Sequence, residues 1–215
     1  MPPKKKNTQY TQRPARKWKI HQNPPVIAGN TRGRHTFRFK QTAQATTNVT
    51  LYIDDFAFFQ CVGTTSTCVR TIWESFKIDK IEIWSPARII DGTLQDPRRT
   101  GLTWKGLYVG RSEVFGTTNQ QTGVTHLHST PPREAACSKW QRISAGANSD
   151  TELVTLDVPD QSVIDITIRY IYDDDGISQI IKCGYTGLTA GYLYYSAADS
   201  YWGSKQLVPM GLKAP

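Results

Sequence analysis

The stretch SVIDITIRYIY at positions 162–172 decides the fold class of this chain. Its large apolar and aromatic side chains stand at every second position: Ile164, Ile166, Ile168, Tyr170 and Tyr172. The positions between them include Asp165, Thr167 and Arg169. Because successive side chains of a strand point to opposite faces of a sheet, this alternation predicts a β-strand with one buried and one solvated face.

The same period of two recurs on both sides of this stretch. Strands are predicted from a clear alternation at 35–40, 48–53, 77–84 and 151–158, and from a weaker one at 102–109 and 191–195. Thr, Ile, Val, Tyr and Trp are plentiful, and such residues suit a pleated, half-buried surface. No internal repeat or linker separates two folded domains. The sequence therefore predicts an all-β protein with one sandwich of about eight strands.

One segment has a helical rather than a β period. Large apolar side chains at positions i, i+3, i+4 and i+7 are Val69, Ile72, Trp73 and Phe76. Either Ser66 or Thr67 is suited to cap the first turn. This spacing predicts a short helix near residues 66–76 that runs into the strand at 77–84.

Positive charge is concentrated at the N-terminus. The first 34 residues contain nine basic residues and no acidic one, whereas the rest of the chain contains 17 basic and 18 acidic residues. A cationic tail on a nearly neutral body indicates that a polyanion binds to the tail. We predict a nucleic-acid-binding set of Lys4, Lys5, Lys6, Arg13, Arg16, Lys17, Trp18, Lys19, Arg32 and Arg34. Trp18 has two open interpretations, since it can pack against the body or stack on bases.

The composition of the N-terminus also predicts how the chain is divided. Residues 1–30 are rich in Pro, Gln and Asn and poor in aliphatic residues, so they cannot bury enough apolar surface to offset their ordering entropy. We expect a largely disordered basic arm at 1–34 and a folded domain at 35–215. No long apolar run predicts a transmembrane helix, and no apolar stretch follows the basic residues as in a secretory signal.

No constellation of residues predicts catalysis, a metal site or a cofactor. His126-Leu127-His128 has the His-hydrophobic-His pattern of rolling-circle nucleases, but no Tyr-x-x-Lys nucleophile motif accompanies it, and we expect it in a surface loop. The run 173–175 of three Asp residues is interpreted as a solvated turn, with Ca²⁺ binding as the alternative. The four cysteines contain no CxxC pair and are expected to be reduced and mostly buried.

Several segments together resemble a known family. They are the run 69–87 (VRTIWESFKIDKIEIWSPA), the motif STPP at 129–132, KWQ at 139–141, SVIDITIRY at 162–170, GYLYY at 191–195 and LVP at 207–209. In order and spacing they resemble the jelly-roll coat proteins of small circular single-stranded DNA viruses that encode a Rep protein. The resemblance covers about residues 35–210.

The resemblance implies a structural protein without enzymatic activity. It implies a single eight-stranded jelly roll as the shell domain at 35–215, and self-assembly into an icosahedral virion of about 60 copies (T=1) or a multiple of that number. The arm at 1–34 would bind the packaged single-stranded genome, with DNA as the expected nucleic acid. The basic clusters at 4–6 and 13–19 also fit a nuclear-import signal, which predicts passage through the host nucleus.

Two other classes of function stay open from the residues alone. A non-capsid β-barrel that binds single strands and carries a basic tail would have aromatic and basic side chains on one exposed sheet face. An enzyme on a β-sandwich scaffold would need an acid-base or metal constellation, and none is evident in the sequence.

Overall fold

A computed structural model describes residues 32–42, 47–86, 88–90, 93–95, 100–106, 110–116, 124–143, 151–172, 180–182, 186–199 and 205–210. The first strands of the described residues are β1 (Arg32–Gln41), β2 (Thr47–Tyr52), β3 (Cys61–Gly63), β4 (Cys68–Thr71), β5 (Trp73–Pro86), β6 (Arg88–Ile90), β7 (Thr93–Gln95) and β8 (Thr100–Lys105). The next are β9 (Arg111–Gly116), β10 (Val124–Ser129), β11 (Gln141–Arg142), β12 (Glu152–Val158), β13 (Val163–Tyr172), β14 (Ile180–Lys182), β15 (Leu193–Tyr194) and β16 (Leu207–Pro209). One short helix, α1 (Ile53–Phe58), follows β2, and a 3-10 turn covers Ala136–Ser138.

Two antiparallel sheets form a jelly-roll sandwich. The first sheet has the order β10-β5-β13-β1-β16, with β11 also paired to β5, and the second sheet has the order β2-β12-β8-β9. Eight long strands build the sandwich: β1, β2, β5, β8, β9, β10, β12 and β13. The outermost two in chain order pair with each other and so do the next two inward, so that β1 pairs with β13, β2 with β12, β5 with β10 and β8 with β9. This is the pairing of one long hairpin rolled into two sheets, as in a jelly roll.

The core lies between the two sheets and is rich in aromatic residues. Its largest fully buried side chains include Trp73, Trp104, Phe39, Phe56, Phe58, Phe59 and Phe76. Helix α1 adds to it, because the Phe56 ring stacks on Phe76 of β5 with ring centroids 4.5 Å apart. The Trp104 Nε1 group of the second sheet donates to Ser129 Oγ of the first at 2.9 Å, so the indole N–H stays satisfied inside the core.

The strongest predicted strands are confirmed. The stretch 162–172 contains β13 (Val163–Tyr172), which is paired on both sides, and 151–158 contains β12 (Glu152–Val158). Ile164, Ile166 and Ile168 are fully buried, as their alternation predicts. The weaker segments 102–109 and 191–195 also contain strands, namely β8 and the short β15. The all-β sandwich predicted from the sequence is therefore the observed fold.

The predicted helix near 66–76 is wrong. Residues 68–71 form β4, and β5 starts at Trp73 after a bend at Ile72. Val69, Thr71 and Trp73 are buried while Arg70 is exposed and Ile72 is half-buried, so the period of two continues through that bend. The alternation shifts by one residue between Trp73 and Phe76, where Glu74 is an extra residue of β5 in the pairing with β13, and this shift imitates a helical spacing. Pairing with β3 and β13 favours the extended form of these β-branched residues.

The observed helix occupies a different position, and one predicted loop is a strand. The strand predicted at 48–53 ends at Tyr52, where the backbone N–H donates to Asp55 Oδ2 at 2.9 Å at the start of α1. The His126-Leu127-His128 motif lies in β10 and not in a loop. Its two exposed histidines flank the buried Leu127, and this is the alternation of a strand.

Other predictions concern single residues. Cys61 and Cys137 are buried, Cys68 is half-buried, and all three are free thiols. Burial raises the pKa of the Cys137 thiol to about 12. Cys183 and the acidic run 173–175 lie outside the described residues. Among the described residues, no helix is long and apolar enough to cross a membrane.

Candidate nucleic-acid interface

Of the ten predicted nucleic-acid-binding residues, the structure describes only the last two. Lys4, Lys5, Lys6, Arg13, Arg16, Lys17, Trp18 and Lys19 lie outside the described residues. Arg32 and Arg34 lie in β1, where Arg32 pairs with Ile171 and Arg34 pairs with Arg169 of β13. Residues 32–34 of the predicted arm are therefore part of β1 and pair with β13. The pairing with β13 extends back to Arg32, whereas Arg34, His35 and Thr36 are all exposed, so no alternation of burial marks this part of the strand in the sequence.

The outer side of β1 is basic. Phe37 and Phe39 are buried in the core, so the even-numbered positions of this strand face outward. These outward positions are Arg32, Arg34, Thr36, Arg38 and Lys40. Four of the five are cationic. Strand β1 is not an edge strand, because it lies between β13 and β16 in the sheet.

The register extends this basic surface over the neighbouring strands. We call the outer side of the first sheet the basic face. On β1, β13 and the part of β5 from Lys77 onward, its cationic members are Arg32, Arg34, Arg38, Lys40, Lys77, Lys80 and Arg169. Its acidic members are Asp79, Glu82 and Asp165. These seven positive and three negative side chains leave an excess of four positive charges, and the ion pair of Arg142 on β11 with Glu74 on β5 does not change that excess.

Two of the three carboxylates are matched by single cations. Arg38 donates from Nε and from its second amino group to the two oxygens of Asp165, both at 2.7 Å. These hydrogen bonds and the charge of Asp165 raise the pKa of Arg38 above its ordinary value. Lys80 Nζ lies 2.5 Å from Glu82 Oε2. Among the described residues, Arg32, Lys40 and Lys77 form no such ion pair, so their charges are available to an external anion.

The third carboxylate is shared by two arginines. The pairing of β5 with β13 shifts register between Thr167 and Ile168, and the extra residue on β5 is Asp79. Arg34 and Arg169 are direct cross-strand neighbours, an arrangement that would be unfavourable for two like charges alone. Each donates its Nε to Asp79 Oδ2 at 2.8 Å. The bulge therefore holds a pair of exposed guanidinium groups together around one carboxylate.

Aromatic side chains accompany the cations. The Trp84 ring stacks on His126 of β10 at a centroid distance of 5.1 Å, and the Arg38 guanidinium lies 5.7 Å from the Trp84 centroid. Trp140, just before β11, is 40% exposed, and Lys77 Nζ lies 5.6 Å from its ring centroid. Basic groups interleaved with aromatic rings on a sheet face are typical of surfaces that bind single strands.

The outer side of the second sheet is different. Its charged members are Lys105, Arg111, Glu113, Glu152 and Asp157, which leave an excess of one negative charge. Its centre is a row of threonines across three strands, in which Thr155 lies opposite both Thr50 and Thr103. The hydroxyls of Thr50 and Thr155 lie 3.0 Å apart. We call this side the threonine face.

Sequence reasoning missed most members of the basic face. The alternation of 162–172 places Arg169 outward, and that of 35–40 does the same for Arg38 and Lys40. What the sequence does not contain is the strand order, which brings β1, β13 and β5 side by side. The bulge at Asp79 and the position of Trp140 beside Lys77 also follow from pairing between distant segments.

Within the described ranges, no cluster of three or more His, Cys, Asp or Glu side chains is arranged to hold a metal ion.

Neither the models of protein families nor the curated proteins that we compared with the sequence match this chain.

Proposed function

We propose that this chain is the coat protein of a small icosahedral virus with a single-stranded genome, with DNA as the expected nucleic acid. Its role would be structural and not enzymatic. The jelly-roll fold supports the proposal, because viral capsid domains are one of the classes of protein that use it. Lectin domains and cupins use it as well, so the fold alone does not decide the function.

The observation that carries the proposal is the one-sided distribution of charge. The basic face has four excess positive charges and continues at Arg32 into the basic N-terminal residues, whereas the threonine face has one excess negative charge. A shell subunit needs this polarity, because one side meets a packaged polyanion and the other side meets the surroundings. A lectin or a cupin has no use for a cationic sheet face joined to a cationic tail.

Binding would depend on phosphates and not on base sequence. Lys and Arg side chains that pair with phosphates release condensed counterions, so affinity falls with salt at a slope of about 0.7 per phosphate on single strands. The exposed Arg32 and the half-buried Lys40 and Lys77 would add contacts to those of the N-terminal residues. None of these groups is arranged to read base edges in a groove, so the binding should tolerate any sequence.

Self-association would use the apolar groups outside the two outer faces. Tyr192 is 64% exposed and Leu193 is 45% exposed where β15 joins the small sheet β14-β4-β3-β15. Large aromatic and aliphatic side chains left in water are typical of contact surfaces. The sheet edges and these groups would form contacts between copies, and about 60 copies or a multiple would close the shell.

Electron microscopy of the purified full-length protein tests the proposal. We expect uniform closed particles that contain nuclease-protected nucleic acid, and nuclease sensitivity of the extracted material identifies it as DNA or RNA. Monomers or small oligomers that bind oligonucleotides would instead support a non-capsid single-strand-binding protein, for which the exposed Trp140 beside Lys77 is equally suited. Nuclear passage stays a prediction from the basic clusters at 4–6 and 13–19.

A further inference from the structure

We propose that one row of side chains across the basic face selects single strands over duplexes. The row consists of Arg34, Arg169, Lys77 and Trp140, and we call it the cationic row. Two phosphates of a single strand would lie on its three cations, and an unpaired base would stack on Trp140. This inference rests on the proposed function, since it names how the nucleic acid meets the subunit.

The register places the four residues side by side. Arg34 pairs with Arg169, and Arg169 pairs with Lys77, so three neighbouring strands each contribute a cation at the same level. Strand β11 pairs with β5 at Gln141 and Phe76, and this register brings position 140 next to Lys77. The 5.6 Å between Lys77 Nζ and the Trp140 centroid confirms that contact. At about 4.8 Å per strand, the three cations span about 10 Å.

Asp79 orients the guanidinium groups of Arg34 and Arg169 so that they can bind phosphate. Both donate Nε to the same carboxylate oxygen, which fixes the direction of each guanidinium group. Their side chains remain 58% and 52% exposed. The terminal amino groups, which bind phosphate oxygens in pairs, make no hydrogen bond within the described residues. Three cations and one carboxylate leave two positive charges, which match two phosphates.

Trp140 gives the row its preference for single strands. Its ring is 40% exposed at the end of the row, beyond Lys77. Stacking on an aromatic side chain requires a base whose π-face is free, and the bases of a duplex are already stacked and paired. The cations attract the phosphates of either form. The two forms should therefore differ at Trp140 alone.

Binding of short labelled oligonucleotides to the full-length chain tests the inference. Fluorescence anisotropy at fixed salt would compare a 12-nucleotide oligo-dT, an oligo-rU of the same length and a 12-base-pair duplex. The readout is the ratio of single-strand to duplex affinity, because the N-terminal basic residues contribute to both. We expect Trp140→Ala to lower this ratio about 5- to 100-fold and Trp140→Phe to retain most of it.

A second variant tests the cations of the row, which would bind the phosphates. Arg169→Gln should lower the affinity for the single strand and for the duplex by a similar factor. It should also reduce the slope of log affinity against log salt for the single strand by about 0.7. Equal effects of Trp140→Ala on all three oligonucleotides, or no effect on any, would overturn the inference. If Trp140→Ala loses affinity for oligo-dT alone, the site binds DNA. If it loses affinity equally for oligo-dT and oligo-rU, the site binds single strands of either sugar. Thermal unfolding of each variant verifies that it is folded.

Particle formation by the same preparations separates the two proposals. If wild-type chains form no particles but Trp140→Ala lowers the ratio, the coat function fails and the cationic row stands. If particles form and Trp140→Ala leaves the ratio unchanged, the coat function stands and the row fails. If Trp140→Ala prevents particle formation and leaves the ratio unchanged, Trp140 is a contact between subunits and the inference is wrong.

Discussion

The two outer faces of the sandwich both belong to antiparallel sheets but differ in charge. Both cover the same aromatic core, and each contains a cross-strand pair of threonine hydroxyls, Thr36 with Thr167 at 2.8 Å and Thr50 with Thr155 at 3.0 Å. Yet the basic face has four excess positive charges, and the threonine face has one excess negative charge. The inner faces account for the fold, and we attribute the difference between the outer faces to the proposed contact with nucleic acid.

The basic face also holds like charges in a costly arrangement. Arg34 and Arg169 are opposed across two strands and require the bulged Asp79 between them. The threonine face has no such feature among the described residues, and there Lys105 pairs simply with Glu152. A sheet that needed only solubility could use mixed surface charges. The arrangement of Arg34, Arg169 and Asp79 is better explained by an anion that binds to the basic face.

The largest effect is expected from removal of the N-terminal residues. Deletion of residues 1–31 removes seven of the nine cations of the predicted arm but leaves β1 and the basic face intact. The sandwich should still fold, packaged nucleic acid should be lost, and the salt slope for a 30-nucleotide single strand should fall by up to about 5. Nuclease protection and circular dichroism measure the two outcomes. A truncated chain that still packages full-length nucleic acid would transfer the whole function to the basic face.

A single glycine tests where the sheet begins. A Cβ at Gly33 would lie 2.4 Å from the Tyr170 ring, which packs on Trp73 with ring centroids 5.0 Å apart. Gly33→Ala should therefore lower the free energy of unfolding by about 1–3 kcal/mol. Urea denaturation measures this loss. If residues 32–34 instead belonged to a loose arm, the substitution would change stability by only a few tenths of a kcal/mol.

Charge reversal compares the two faces directly. Lys40→Glu on the basic face and Arg111→Glu on the threonine face change the net charge by the same amount. We expect Lys40→Glu to reduce the salt slope for a single-stranded oligonucleotide by about 0.7 or more, and Arg111→Glu to leave it unchanged. Anisotropy titrations at several salt concentrations provide both slopes. Equal effects of the two variants would mean that only overall charge matters.

The smallest expected effect concerns the threonine pairs. Thr50→Val and Thr36→Val each remove one cross-strand hydrogen bond and should each cost about 0.2–1 kcal/mol of stability. Because both contributions are structural, they should be similar on the two faces, and oligonucleotide affinity should stay constant. Thermal unfolding together with the binding assay verifies this. A loss of affinity for Thr50→Val would contradict the assignment of binding to the basic face.

Much of the fold follows from local pattern, whereas the site follows from strand order. The alternation of 162–172 predicts β13, its buried isoleucines and its outward Arg169. The irregular pairing of β5 between Trp73 and Phe76 defeats the same reasoning at 66–76, because it shifts the period by one residue. The pairing of β1 with β13 and of β13 with β5 joins positions 34, 169 and 77, which are far apart in the chain. Such contacts depend on tertiary register, and no local propensity contains them.

The most direct test is the orientation of the subunit in the assembled particle. Cryo-electron microscopy of particles from the full-length chain would show which outer face lies against the packaged nucleic acid. We predict that the basic face, with Arg34, Arg169 and Lys77, faces the interior and that the threonine face is directed outward. Particles in which the threonine face lines the interior, or a chain that stays monomeric with nucleic acid present, would contradict the account.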